Sequence, residues 1–198
     1  QRQVIFNQRL KILKEQNINE ILNDFLTEVI ENLGSSLLNY QKSGDETTYL
    51  AEIKNITGNS ISNDELLKFA KLKKEDFNKK IKKIYLDKKN SRIELLGESQ
   101  NNSLEKKIFL QIIDFTWRSH LQYLEQLRQV IGLRQYGQKD PLSEFKKEAF
   151  VLFEGLLLKI KNDLIKFLLN LNIVVSSEED KKEDNEITSI KNPNRKIG

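Results

Sequence analysis

The sequence predicts an all-α fold, and three features of its 198 residues support that prediction. Only two prolines and eight glycines are present, so little interrupts long helices. Apolar residues recur every three or four positions along most of the chain, which is the spacing of a helix face. Charged residues make up 31% of the chain and aromatic residues 8%, so much of each helix is expected to face water.

The composition also excludes several classes of site. Without cysteine, this span has no disulfide scaffold, no Cys-ligated zinc site and no thiol nucleophile. A single histidine excludes the common multi-His metal sites. The sequence contains no run of about 18 apolar residues, which a membrane-spanning helix needs. It also lacks G-x-x-x-x-G-K-[ST] and G-x-G-x-x-G, the two glycine-rich motifs that bind phosphate groups. We therefore expect no catalytic, cofactor-binding or metal site within this span.

Residues 1–39 are predicted to form a long helical element, the first part of a scaffold. Asn17 and Asn19 are expected to interrupt the pattern, with Asn19 capping the second half. The glycine at Gly34 predicts the end of that helix. The chain contains no methionine and no capping signal at Gln1, which favours a piece of a longer protein.

Residues 40–101 read as a small inserted lobe of three short polar helices. Asp45 is expected to cap the first helix, and Ser62 with Glu65 forms a capping box for the second. A third helix from Lys74 carries an apolar stripe and many lysines. Nucleic-acid binding needs a basic stripe together with a reading or stacking element, and only the stripe is present, so a solvated helix face is the preferred interpretation of those lysines. The basic balance of the whole chain fits an acidic membrane surface or partner and a solvated lysine-rich face equally well.

Residues 102–175 predict two long antiparallel helices joined by a short loop, each roughly 40 Å long at 1.5 Å per residue. Asn102 and Glu105 form the expected capping box of the first helix, and Asp140 with Pro141 opens the second. The apolar stripes that predict the hairpin comprise Leu110, Ile113, Trp117, Leu121, Leu124 and Leu127, then Phe145, Ala149, Leu152, Phe153, Leu156, Ile160, Leu164 and Phe167.

The last segment, residues 176–198, contains six acids, five bases and few apolar residues. Such a composition cannot offset its ordering entropy by burial, so it predicts a disordered linker.

Within the hairpin, Trp117 and His120 are expected to be packing residues, since no nucleophile or orienting carboxylate has a recognisable spacing from His120. Tyr136, in the connecting loop, has two interpretations. In the first, its ring folds back against Leu133. In the second, the ring contacts an extended partner chain, and Arg134 and Gln135 donate hydrogen bonds to the backbone carbonyls of that chain.

Three motifs resemble the C-terminal region of SecA, the bacterial preprotein translocase motor. Residues 117–121 read W-R-S-H-L, residues 127–141 read L-R-Q-V-I-G-L-R-Q-Y-G-Q-K-D-P, and residues 144–150 read E-F-K-K-E-A-F. The start, Q-R-Q-V-I-F-N-Q-R, and the end, N-R-K-I-G, are similar to the family's scaffold helix and to the linker before its zinc-binding tail.

The resemblance implies a helical scaffold (1–39 and part of 102–175), a helical wing (40–101), a two-helix finger within 102–175 and a linker (176–198). The fingertip loop would contact preprotein and the SecYEG channel, and it comprises Leu133, Arg134, Gln135, Tyr136, Gly137, Gln138 and Lys139. By the same resemblance, ATP and Mg²⁺ would bind in domains before Gln1, and Zn²⁺ after Gly198.

The partners implied are the SecYEG channel, unfolded preproteins, anionic inner-membrane lipids and the protein's own nucleotide-binding domains. The protein would be cytoplasmic and peripheral on the cytoplasmic face of the inner membrane, and the sequence leaves open whether it is a homodimer. A free-standing basic helical module that binds acidic membranes or nucleic acid is the alternative function.

The motifs depart from the family pattern at a few positions. Val130 and Gln135 stand where the family usually has glycine, Gly137 where alanine is common, and Ser119 where an acid is usual. The glycine beside Tyr136 thus follows it instead of preceding it, which is expected to alter the turn at the fingertip.

Overall fold

The structure is a computed structural model that describes residues 1–133 and 140–173. These ranges contain seven α-helices and no strand, which confirms the all-α prediction. The helices are α1 (Arg2–Lys14), α2 (Asn19–Ser43), α3 (Glu46–Thr57), α4 (Asn63–Phe69), α5 (Lys74–Leu96), α6 (Glu98–Leu133) and α7 (Pro141–Asn170).

The break predicted near Asn17 separates α1 from α2, but Asn19 does not cap α2. Asn19 is the first helical residue, and its side chain accepts a hydrogen bond from Lys89 of α5. Asn17 bonds the start of α2 instead, because its Oδ1 accepts from the Asn19 amide at 2.8 Å. The Asn19 side chain, which the local pattern assigned to the cap, therefore bonds a neighbouring helix instead.

The helix end predicted at Gly34 is wrong, since α2 continues to Ser43. Gly34 lies where α5 approaches most closely: a Cβ placed on it would lie 2.5 Å from Asn78 Oδ1 and 2.8 Å from Lys74 Cε. The glycine therefore serves close helix packing, and Gly44, in the left-handed conformation, ends the helix.

The caps predicted at Asp45 and Ser62 are confirmed, but within the described residues the Glu65 side chain does not return the bond to the Ser62 amide that would complete the capping box. Asp45 accepts from the Thr48 amide at 3.0 Å and from its hydroxyl at 2.6 Å, and the Ser62 hydroxyl accepts from the Glu65 amide. The third helix is longer than expected, with 23 residues.

The lobe is less exposed than its polar sequence predicts, because its apolar stripes pack on α2 and α7 in one continuous core. Tyr49, Ile53, Phe77, Ile81 and Tyr85 are all buried there. The central element is α2, which packs against α3, α5 and α7, while α6 packs against α7, α5 and α1.

The capping box predicted at Asn102 and Glu105 is also wrong. Helix α6 begins four residues earlier, at Glu98. Asn102 accepts from the Ile18 amide and donates to the Gln16 carbonyl, and Glu105 is fully buried in an ion pair with Arg92. Both side chains make tertiary contacts between helices that the local motif could not indicate.

Candidate functional site: the helical hairpin and its base

Helices α6 and α7 form the predicted antiparallel hairpin, which is the most extensive helix pair in the described structure. At 1.5 Å per residue, the 36 residues of α6 span about 54 Å and the 30 residues of α7 about 45 Å. The connection, residues 134–139, lies outside the described residues. A long, thin element of this kind can carry a loop well away from the core.

Asp140 begins the second helix as predicted. One of its carboxylate oxygens accepts from the Ser143 amide at 3.1 Å and from the Ser143 hydroxyl at 2.6 Å, and Pro141 occupies the first helical turn. The bond from the Ser143 hydroxyl is the largest cause that lowers the pKa of Asp140. The start of α7 is therefore stabilised by hydrogen bonds within its own first turn.

Trp117 and His120 meet where Gln1, just before α1, contacts both helices of the hairpin. Their rings stack at 5.5 Å, and the His120 ring lies 5.9 Å from that of Phe153 on α7. His120 is 4% exposed, and its Nε2 lies 3.0 Å from Gln1 Oε1. Burial is the chief cause that lowers the pKa of His120. A neutral imidazole at this position joins α6, α7 and the start of α1.

On either side of this contact the hairpin leaves apolar side chains uncovered. Leu121, Leu152 and Phe167, all assigned to buried stripes by the sequence, are 47%, 37% and 48% exposed. Two packed helices cover only part of each other's apolar stripes, so these three side chains remain accessible within the described residues. A groove of about 510 Å³ lies near the loop between Tyr123, Leu127 and Val130 of α6 and Val151 and Leu152 of α7.

The fingertip loop cannot be placed against these surfaces. Leu133 ends α6, whereas Arg134, Gln135, Tyr136, Gly137, Gln138 and Lys139 lie outside the described residues, as does the predicted linker 176–198.

The base of the hairpin contains a buried ionic cluster that sequence reasoning missed. Arg92 of α5 is 3% exposed and donates to Glu105 Oε1 at 3.0 Å and to Asn101 Oδ1 at 3.3 Å, both on α6. Its third bond goes to the Leu168 carbonyl on α7 at 2.7 Å. We call Lys89, Arg92, Asn101 and Glu105 the junction. The one available signal was an arginine in a helix whose other basic residues are all lysines.

Among residues 1–133 and 140–173, no group of three or more acidic, histidine or cysteine side chains could hold a metal ion. In the same part of the chain, none of the helices combines the length and apolar character needed to cross a membrane.

Comparison with known proteins gives this architecture a family. The sequence model of the family described as "SecA Wing and Scaffold domain" matches residues 1–172. The chain belongs to the SecA wing and scaffold family. It is 44% identical over 179 residues to the protein translocase subunit SecA of Pelagibacter ubique, and this match covers 90% of the chain and 21% of the relative.

Two further SecA proteins are similar at lower identity. The protein translocase subunit SecA of Caulobacter vibrioides is 32% identical over 182 residues, and that of Heliobacterium modesticaldum is 30% identical over 183 residues. These matches cover 90% and 89% of this chain, and 20% and 21% of the relatives. The chain thus spans about a fifth of the length of the curated relatives it matches.

Proposed function

We propose that this chain is the motion-transmitting segment of a SecA protein translocase, which moves preproteins through the SecYEG channel using ATP hydrolysed in other domains. The observation that carries the proposal is the family match over residues 1–172, combined with the loop motif of residues 127–141. In this assignment the chain itself performs no chemistry.

The proposed division follows the resemblance. Residues 1–39 and part of 102–175 are the scaffold, residues 40–101 the wing, α6 and α7 the two-helix finger, and residues 176–198 a linker. The length and antiparallel packing of α6 and α7 support the finger assignment.

Helix α1 provides the route by which motion of the other domains would reach the finger. Gln1 bonds both helices of the hairpin: its Nε2 donates to the Ala149 carbonyl at 3.0 Å, and its Oε1 lies 3.0 Å from His120 Nε2. Two turns further on, Arg9 pairs with Asp114 of α6 at 3.0 Å. A shift of α1 would therefore move α6 and α7 together.

At the fingertip, Tyr136 would press on preprotein side chains through its ring, which offers contact area without sequence specificity. Arg134 and Lys139 would direct the loop towards acidic channel loops or anionic lipid head groups. The whole protein would act at the cytoplasmic face of the membrane, with SecYEG and unfolded preproteins as partners.

A free-standing basic module remains the second candidate function, favoured by the exposed lysines Lys79, Lys82 and Lys83 on α5. Salt-sensitive binding of the isolated chain to RNA or to anionic vesicles would support it, because contacts with phosphates are strongly screened.

The test uses a chimera in which this chain replaces the matching segment of the Pelagibacter ubique protein. Transport of a preprotein into vesicles containing SecYEG is measured for the chimera with Tyr136, Tyr136→Phe, Tyr136→Trp and Tyr136→Ala. We expect the aromatic variants to retain much of the transport and Tyr136→Ala to lose most of it. Equal transport by all four proteins would contradict the role of the ring.

A further inference from the structure

The junction joins three elements of the hairpin base and one helix of the core. Lys89 and Arg92 belong to α5, Asn101 and Glu105 to α6, and Arg92 reaches the Leu168 carbonyl on α7. Lys89 lies 3.6 Å from Glu105 Oε2 and also donates to Asn19 at the start of α2. Four helices therefore meet at the buried Arg92, the partly exposed Lys89 and the buried carboxylate of Glu105.

Side chains of the inserted lobe also cap the end of α7. The last carbonyls of a helix have no partner within the helix and form the negative end of its dipole. Here the Leu168 carbonyl accepts from Arg92 at 2.7 Å and the Leu169 carbonyl from the Ser60 hydroxyl at 2.9 Å. Asn170 completes the contact, since its Nδ2 donates to the Ile56 carbonyl at 3.2 Å.

The hydrogen bonding around the junction is incomplete, so a contribution to stability alone does not explain it. Within the described residues, the buried Tyr85 hydroxyl has no hydrogen-bond partner, and the buried Glu105 Oε2 has no hydrogen bond but only the Lys89 ammonium at 3.6 Å. Well-packed apolar residues often stabilise a protein as much as a buried ion pair does, or more. A guanidinium, however, can hold a carboxylate on one helix and a carbonyl on another in one fixed geometry.

We propose that the inserted lobe fixes the position of α7 along the helix axis and so anchors it. Arg92 is the positioning residue of this anchor. Because α7 runs as one helix from Pro141 to Asn170, its position at the lobe determines where its other end, Pro141, lies. This inference rests on the proposed function in one respect only: that the loop position matters for transport.

The structural test uses the full 198-residue chain, which lacks cysteine and so accepts specific spin labels. Asn90→Cys on α5 and Lys147→Cys on α7, both exposed, report the position of α7 relative to the lobe. The deciding variant is Arg92→Met with Glu105→Leu, which replaces the Arg92–Glu105 ion pair by apolar groups and leaves Lys89 its bond to Asn19. Lys159→Gln with Asp163→Asn, which removes an ion pair within α7, is the matched control.

We expect the Arg92 and Glu105 variant to retain the melting temperature but to broaden the label distance and shift it by more than one helical residue, about 1.5 Å. The control should leave the distance unchanged. An unchanged distance in the deciding variant would overturn the proposal. If that variant does not fold, Arg92→Lys decides instead, because it keeps the charge and loses the forked contacts, and the same broadening is expected.

In the chimera, the Arg92 and Glu105 variant should lower transport about fivefold while ATP hydrolysis is retained. If the variant keeps full transport as well as its melting temperature, Arg92 has a structural role only. Failure of the unmodified chimera to transport would count against the proposed function, whereas the label distances would still decide the anchor.

Discussion

At the scale of single residues, Gly58 is the position where the backbone tolerates a side chain least. Its φ of 55° and ψ of −128° are rarely adopted by other residues, and an added Cβ would lie 2.3 Å from Asn170 Oδ1. We expect Gly58→Ala to lower the free energy of unfolding by about 2–4 kcal/mol, from backbone strain and displaced hydrogen bonds. Urea denaturation of the chain measures the change.

Two other glycines provide matched controls for that substitution. Gly44 also has a positive φ, but nothing lies within 4 Å of an added Cβ, so Gly44→Ala should cost only about 1 kcal/mol. Gly155 lies in a helix with open space beside it, and Gly155→Ala should stabilise by about 0.5–1 kcal/mol. Equal losses at Gly58 and Gly44 would show that the Asn170 contact is unimportant.

His120 should give the chain a distinct pH dependence near neutrality. Its pKa in the folded state lies below the ordinary value of 6.5, chiefly because of burial, so the unfolded chain binds the proton more readily. Stability is therefore complete above about pH 6.5 and falls as the pH drops towards the folded pKa. Melting temperatures between about pH 7 and pH 5 should fall for the natural chain and less for His120→Gln.

The composition makes that comparison clean, because His120 is the single histidine of the chain. The carboxylates whose pKa is lowered, Glu31, Asp45 and Asp140, affect stability only at more acidic pH. The same pH profile for His120→Gln as for the natural chain would contradict the buried, neutral imidazole.

At the scale of elements, Asp140 is expected to determine how firmly α7 begins. Asp140→Ala removes the acceptor for the Ser143 amide and hydroxyl, so the first turn of α7 should fray and the melting temperature should fall. The pKa of Asp140 is lowered, so its contribution is present above about pH 3.8 and is lost as the pH falls through the folded value. Amide hydrogen exchange of residues 142–145 measures the fraying.

Asp140→Asn is the control for that prediction, since the amide oxygen can still accept from the Ser143 amide. It should protect the first turn better than alanine does. Equal exchange rates in both variants and in the natural chain would show that the cap has no effect on α7.

The elements also show what the sequence could predict and what it could not. Caps at Asp45, Ser62 and Asp140 are local interactions within four residues, and the structure contains all three. Asn102 and Glu105 have the same local pattern, but their partners are Gln16, Ile18 and Arg92. A single sequence carries no signal for contacts at such separations, and those contacts override the local preference.

At the scale of the whole molecule, the same distinction applies to the candidate site. The hairpin was predictable because its helices are long and periodic, and the motif at residues 127–141 indicated the family. The junction was not predictable, because Arg92, Glu105 and Leu168 meet only after α5, α6 and α7 have packed. The exposure of Leu121 and Leu152 likewise depends on which parts of the two helices the packing covers.

The most direct test of the central claim is ATP-dependent preprotein transport by the Pelagibacter ubique chimera that carries this chain without substitutions. A segment 44% identical to the one it replaces should support the same movement, so we expect transport to persist and to require ATP. A chimera that folds and hydrolyses ATP but moves no preprotein into SecYEG vesicles would contradict the assignment of this chain as the motion-transmitting segment.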